Sequence, residues 1–179
     1  PVVAGSFYPA SADELSAQID GFLECAAPSP PEGRLVALIS PHAGYRYSGP
    51  VAAYGYKLLR PGQYRTVVVL APSHHVAFGG LSIYDREGAF ETPLGMIPVD
   101  TALARRLIAS DPQALFDARP FLNNEHALEV QLPFLQKTLG SFSLVPVEMG
   151  DLTYADCERF AGSLASALHG RQDVLIVAS

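Results

Sequence analysis

The stretch "RTVVVLAPSHH" (Arg65–His75) sets the fold class. Thr66 to Ala71 offers no polar face at either phase of a two-residue period, so the segment reads as a strand buried on both sides. Pro72 and Ser73 end it, and two adjacent histidines, His74 and His75, follow. The same pattern recurs in "RLVALIS" (34–40), "SFSLVPVEM" (141–149) and "DVLIVAS" (173–179). Strands apolar on both faces belong to sheets covered by helices on each side.

The intervening segments supply those helices. "SADELSAQIDGFLEC" (11–25) starts with Ser11 and Glu14 at capping-box spacing, and Leu15, Ile19, Phe22 and Leu23 recur at helical intervals. "PVAAYGYKLLR" (50–60) reads as a helix with Pro50 in its first position. Asp100 caps "TALARRLIAS", and Thr153 caps a helix ending near His169. "EHALEVQLPFLQKTLG" (125–140) reads as a helix that Pro133 either kinks or enters in its first turn. "LSIY" (81–84) and "GAFETPLGMIPV" (88–99) read as short strands or a hairpin-like excursion. The expectation is a single α/β domain over 1–179, three-layer α/β/α with a mostly parallel central sheet. A final strand at Ser179 lacks the helix that should cover it, so the chain is expected to be incomplete at its C-terminus. A start at Pro1 suggests a few residues upstream.

Composition narrows the function. Of 179 residues, 49% are hydrophobic and 17% charged, which excludes a disordered chain. The net charge of −6, without a basic stripe, argues against nucleic acid. No apolar run is long enough to span a membrane, and no signal peptide is read, so a cytoplasmic location is expected. Cys25 and Cys157 fall in helical segments and read as reduced, mostly buried thiols.

Right-handed crossovers place all parallel strand ends on one edge, where such sheets bind ligands. His42 lies just beyond the first core strand, and His74 and His75 just beyond the second. His126, preceded by Glu125, opens the segment expected to be helical. Imidazole suits iron, zinc and copper, and two histidines with a carboxylate and open positions form the non-haem iron pattern. Tyr45 and Tyr47 could line the pocket, with half-buried packing as the plainer alternative. His169, near a helix C-terminus, reads as a dipole contact. A serine nucleophile is disfavoured, since GxSxG is absent. Three functions remain: a metal-dependent redox enzyme, a peptide or small-ligand binding module, and a zinc hydrolase with Glu125 as base.

Four motifs occur in order: "AGSFYP" (4–9), "PHAGYRYSG" (41–49), "APSHH" (71–75) and "EHALEVQLPFL" (125–135). Together they resemble the Memo-like family, which includes the mediator of ErbB2-driven cell motility and AmmeMemoRadiSam system protein B. That family is similar in fold to the LigB-type subunit of class III extradiol ring-cleavage dioxygenases. The resemblance implies a LigB-like fold and a non-haem dioxygenase or oxidase. It implies Fe(II) as the metal, with Cu or Zn as alternatives, held by His42 and His74. By the same likeness His126 is a catalytic pocket residue touching substrate; Glu125 beside it is read as a catalytic candidate, and Tyr45, Tyr47 and His75, from their place in the histidine loops, as candidate substrate contacts. A third ligand, glutamate in the dioxygenases and cysteine in the Memo-like branch, is expected beyond Ser179 with an "SSDxSHY"-like segment. A small-molecule substrate or a peptide is implied as ligand, and AMMECR1-like and radical SAM proteins as partners. The sequence departs from the family pattern at Ala71, where glycine is common, and at Ala127, where serine is common.

Overall fold

The computed structural model describes residues 1–122 and 124–179. Its centre is a six-stranded sheet built around the stretch that ends at the paired histidines. That stretch is β2 (Thr66–Pro72). The other strands of this sheet are β1 (Ala37–Ile39), β3 (Leu81–Ile83), β6 (Ala114–Leu115), β7 (Ser143–Met149) and β8 (Val174–Ala178). Their spatial order is β1-β8-β2-β7-β3-β6. The β1–β8, β8–β2 and β2–β7 pairs are parallel, and β3 runs antiparallel to β7. A separate hairpin joins β4 (Ala89–Thr92) and β5 (Gly95–Pro98). The expected mostly parallel sheet is therefore present, but "LSIY" enters it as β3 and is not part of the excursion.

Helices cover both faces. On one, α1 (Ala12–Cys25), α2 (Tyr45–Tyr56) and α5 (Leu132–Leu139) set Leu15, Ile19, Tyr56 and Phe134 against Val67, Val69, Leu175 and Val177. On the other, α3 (Thr101–Ser110) and α6 (Tyr154–Ala167) set Leu103, Leu107, Phe160 and Leu164 against Val68, Val145, Val147 and Val174. Alternation along β2 thus feeds two cores, which is why its sequence shows no polar face. β1 differs: Leu38 is buried, but Ile39 is 91% exposed, because no helix among the described residues covers that side of the edge strand.

Helix boundaries correct two readings. α2 begins at Tyr45, so Pro50 lies inside it; its ring faces solvent, where the missing amide hydrogen bond is tolerated. The segment from Glu125 runs through a turn and a 3-10 stretch (Glu129–Gln131) before α5, with Pro133 in the first turn of α5. A four-residue helix, α4 (Arg119–Leu122), precedes it. Asp100 and Thr153 cap α3 and α6 as expected, the latter in a full capping box with Asp156. Cys157 is half-buried and Cys25 exposed, contrary to the buried reading of both; each is a free thiol. No helix among the described residues is long and apolar enough to cross a membrane.

Candidate metal centre

The carboxyl ends of β1, β2 and β8 meet at one edge, and each delivers a polar side chain. Beyond β1, Ser40 continues the ladder by donating its N–H to Ala178 O (2.9 Å), and the chain then turns through Pro41 and His42 into α2. Gly44 at the start of α2 packs on the backbone of Phe7, and Tyr45 N–H donates to Phe7 O (2.7 Å). The N-terminal segment is thereby bound to the site. Beyond β2, Ser73 N–H donates to Met149 O (3.0 Å) and its hydroxyl to Val76 O (2.9 Å), a tight turn that presents His74. The loop then folds back on Gly150, where a Cβ would lie 2.1 Å from Phe78 O, so only glycine fits.

Three imidazoles converge. Ring centroids are 5.2 Å apart for His42 and His74, 5.9 Å for His42 and His126, and 4.6 Å for His74 and His126, which stack. Phe7 closes one side, 4.6 Å from the His126 ring. Beneath them lies Glu125, with its side chain 2% exposed against 38% for His74. Glu125 Oε1 accepts from His74 Nδ1 (2.9 Å), His126 N–H (2.8 Å) and Ala127 N–H (3.1 Å), while Oε2 accepts from His74 N–H (2.5 Å). Burial raises the Glu125 pKa, but these donors outweigh it and hold the carboxyl below the usual range. An ionised carboxylate only accepts, so His74 carries a proton on Nδ1, which leaves Nε2 as the ring atom open to a ligand. His126 Nδ1 stands 3.5 Å from the same oxygen.

Burial pushes the His42 imidazole below its ordinary pKa, and His74 and His126 add to the shift against an opposing Glu125. Burial likewise lowers His126, opposed by Glu125 and reinforced by His74 and His75. Neutral imidazoles are the state in which histidine binds metal. The ligand atoms of His74, Glu125 and His126 lie within 4.8 Å of one another, close enough to share an ion.

The remaining expected residues are placed differently. His75 is exposed, its ring 6.3 Å from His126, beside a cleft of about 350 Å³ lined by Ser73, His74, Phe78 and Asp151. Tyr45 does not line a pocket: it is buried, and its hydroxyl donates to Val130 O (2.7 Å). Tyr47 is 74% exposed on α2, where Arg46 lies over its ring. A concavity of about 620 Å³ between the hairpin and α5 sits at the opposite, amino end of the sheet near Arg65 and Ser143. It is remote from the histidines and brings no comparable cluster.

Three participants escaped sequence reading. Phe7 packs on His126, and Ser179 Oγ lies 3.0 Å from His42 Nδ1. Gln131 Nε2 donates to Ser179 Oγ (2.7 Å). Ser179 had a signal available, since it ends a parallel strand at the same edge as the two histidine loops. The strands bearing His42 and His74 are also not neighbours: β8 lies between them, which is how Ser179 reaches His42.

A family model described as Memo-like protein matches residues 1–179. A MEMO1 family protein of Thermotoga neapolitana is 42% identical over 189 aligned positions, covering all of this chain and 68% of its own length. A MEMO1 family protein of Methanopyrus kandleri is 42% identical over 162 positions, 83% of this chain and 55% of its own. The memo-1 homolog of Caenorhabditis elegans is 35% identical over 178 positions, 98% of this chain and 50% of its own. With the match extending over every residue and the relatives spread from bacteria to animals, the chain belongs to the Memo-like family.

Proposed function

We propose that the protein binds a redox-active transition metal at the carboxyl edge of its sheet and acts as a non-haem dioxygenase or oxidase of the extradiol type. His42 and His74 are its protein ligands in this reading. The observation that carries it is the pairing of His74 Nδ1 with the buried, ionised Glu125 (2.9 Å), the carboxylate–histidine arrangement that accompanies metal-ligating imidazoles. The donor set fits such an ion: imidazole nitrogen ligands, one oriented by a carboxylate, favour iron, copper or zinc over calcium or magnesium. Fe(II) is the ion proposed, since it would supply activation of O₂ that no side chain can provide.

The chain's own residues have separable tasks. Glu125 is buried and accepts four hydrogen bonds, three on Oε1 and one on Oε2, so it orients His74 and is not a free base. This counts against the zinc hydrolase, whose base it would have been. His126, stacked on His74 and backed by Phe7, holds or moves a proton on the substrate. A small phenolic or enolic substrate would enter from the open side by His75. AMMECR1-like and radical SAM proteins remain proposed partners, and the cytoplasm the proposed compartment.

The test is metal content. Protein purified without added metal, then reconstituted with Fe(II), Cu(II) or Zn(II), is assayed beside His42→Ala/His74→Ala. The expected result is near-stoichiometric metal in the parent and at least a 10-fold loss in the double variant. Equal occupancy in both overturns the reading.

A further inference from the structure

The hydroxyl of Ser179 sits among three polar groups whose protons can be counted. Ser179 Oγ lies 3.0 Å from Ser40 O, 2.7 Å from Gln131 Nε2 and 3.0 Å from His42 Nδ1. Ser40 O is a pure acceptor, so the one hydroxyl proton goes there. Gln131 is 1% exposed, and its amide orientation is fixed from both ends. Tyr56 O–H donates to Oε1 (2.6 Å), while the two Nε2 protons go to the nearest acceptors, Ser179 Oγ (2.7 Å) and Pro41 O (3.0 Å), with Ala127 O farther off at 3.4 Å. Turning the amide over would set two oxygens, Oε1 and Pro41 O, against each other. Ser179 thus spends its proton on Ser40 and one lone pair on Gln131. The last lone pair faces His42, and only an N–H can fill it.

We infer that Gln131 and Ser179 are positioning residues that lock His42 in the Nδ1–H tautomer and so present its Nε2 lone pair to the cleft. The chain Tyr56–Gln131–Ser179–His42 does with neutral groups what Glu125 does for His74 with a charge. It ties α2, the 3-10 stretch before α5, β8 and the β1 loop into one hydrogen-bonded unit. The two imidazoles consequently differ: His74 is polarised by a carboxylate, and His42 by a hydroxyl already engaged twice. The inference deepens the metal-binding reading, because the free Nε2 matters to function only if His42 is a ligand.

Ring nitrogen–proton correlation spectra of ¹⁵N-histidine protein, metal-free in chelator at pH 8, test it. The His42 signals are assigned by their loss in His42→Asn. The expected pattern is a pyrrole-type Nδ1 and a pyridine-type Nε2. A protonated Nε2 in the parent protein overturns the inference, and needs no variant to fold. In Ser179→Ala the pattern should move toward the Nε2–H form that free imidazole prefers, and Ser179→Thr should restore it. Gln131→Met should shift it part of the way. An unchanged pattern in Ser179→Ala overturns the inference. Affinity for added metal should fall about 10-fold in Ser179→Ala and recover in Ser179→Thr. Unchanged affinity alongside an altered tautomer overturns the functional half. A parent protein with the expected tautomer that takes up no metal refutes the metal-binding reading alone and leaves the tautomer lock standing.

Discussion

At the scale of single residues, what orients each imidazole matters more than which imidazoles are present. Glu125 makes the point. It accepts from three backbone amides and one ring nitrogen while almost fully buried. In Glu125→Gln one amide NH₂ must face N–H donors, at a cost of about 1–3 kcal/mol. The same change removes the charge that polarises His74, so metal affinity should drop about 10- to 100-fold. Urea denaturation and metal titration measure the two separately, and Glu125→Gln with parental affinity would refute the orienting role. The sequence displayed the histidines because they sit at strand ends, where a linear reading can place them. It could not separate Tyr45 from a pocket residue, because whether a hydroxyl finds a carbonyl such as Val130 O is decided by packing 85 positions away in the chain. Gln131 was invisible for the same reason: nothing local distinguishes it from a surface glutamine.

At the scale of elements, apolar runs located the four core parallel strands β1, β2, β7 and β8 but not their order, and they missed the two-residue β6 that pairs parallel with β3. β8 inserts between β1 and β2, and that order alone brings Ser179 to His42. Strand order is a property of crossovers, and the run of residues within each strand carries no record of it. The runs also overstated how evenly the sheet is covered. "VALI" and "VVVL" look equivalent, yet Val68 is fully buried between β2's neighbours while Ile39 stands 91% exposed on the edge strand. Substitution should separate them in the 1–179 chain. Val68→Ala leaves a cavity under α3 and α6 and should cost about 1–3 kcal/mol. Ile39→Ser should stay within about 0.5 kcal/mol. Urea midpoints at fixed slope would show this, and equal losses would contradict the edge position of β1.

At the scale of the whole molecule, the site's buried titratable groups bias folding in opposite directions with pH. His42 and His126 have lowered pKa values in the fold, chiefly through burial. Below about pH 6.5 the unfolded chain binds protons that the folded one refuses, so stability declines as pH falls through that window. Glu148 works the other way. It lies near the end of β7, is 1% exposed, and its Oε2 has no partner among the described residues. Burial, with the charge of Glu125 nearby, pushes its carboxyl up to about 9. Between the ordinary carboxyl range and that value the fold keeps a proton that the unfolded chain releases, so stability falls as pH rises. In metal-free protein the two trends leave a maximum near pH 6.5, with a decline toward pH 9 that Glu148 alone among the site's carboxyls produces. Full linkage over that span would approach about 3 kcal/mol, and partial solvation reduces this to about 1–3 kcal/mol. Glu148→Gln keeps the shape, cannot ionise, and should flatten the alkaline limb and steepen the acid limb, where the Glu148 slope no longer opposes the histidines. Urea unfolding of both proteins at intervals from pH 5 to 9 decides it: parallel curves would mean that Glu148 is ionised in the folded state, and that the carboxyl beneath this site carries a charge the geometry gives no partner to balance.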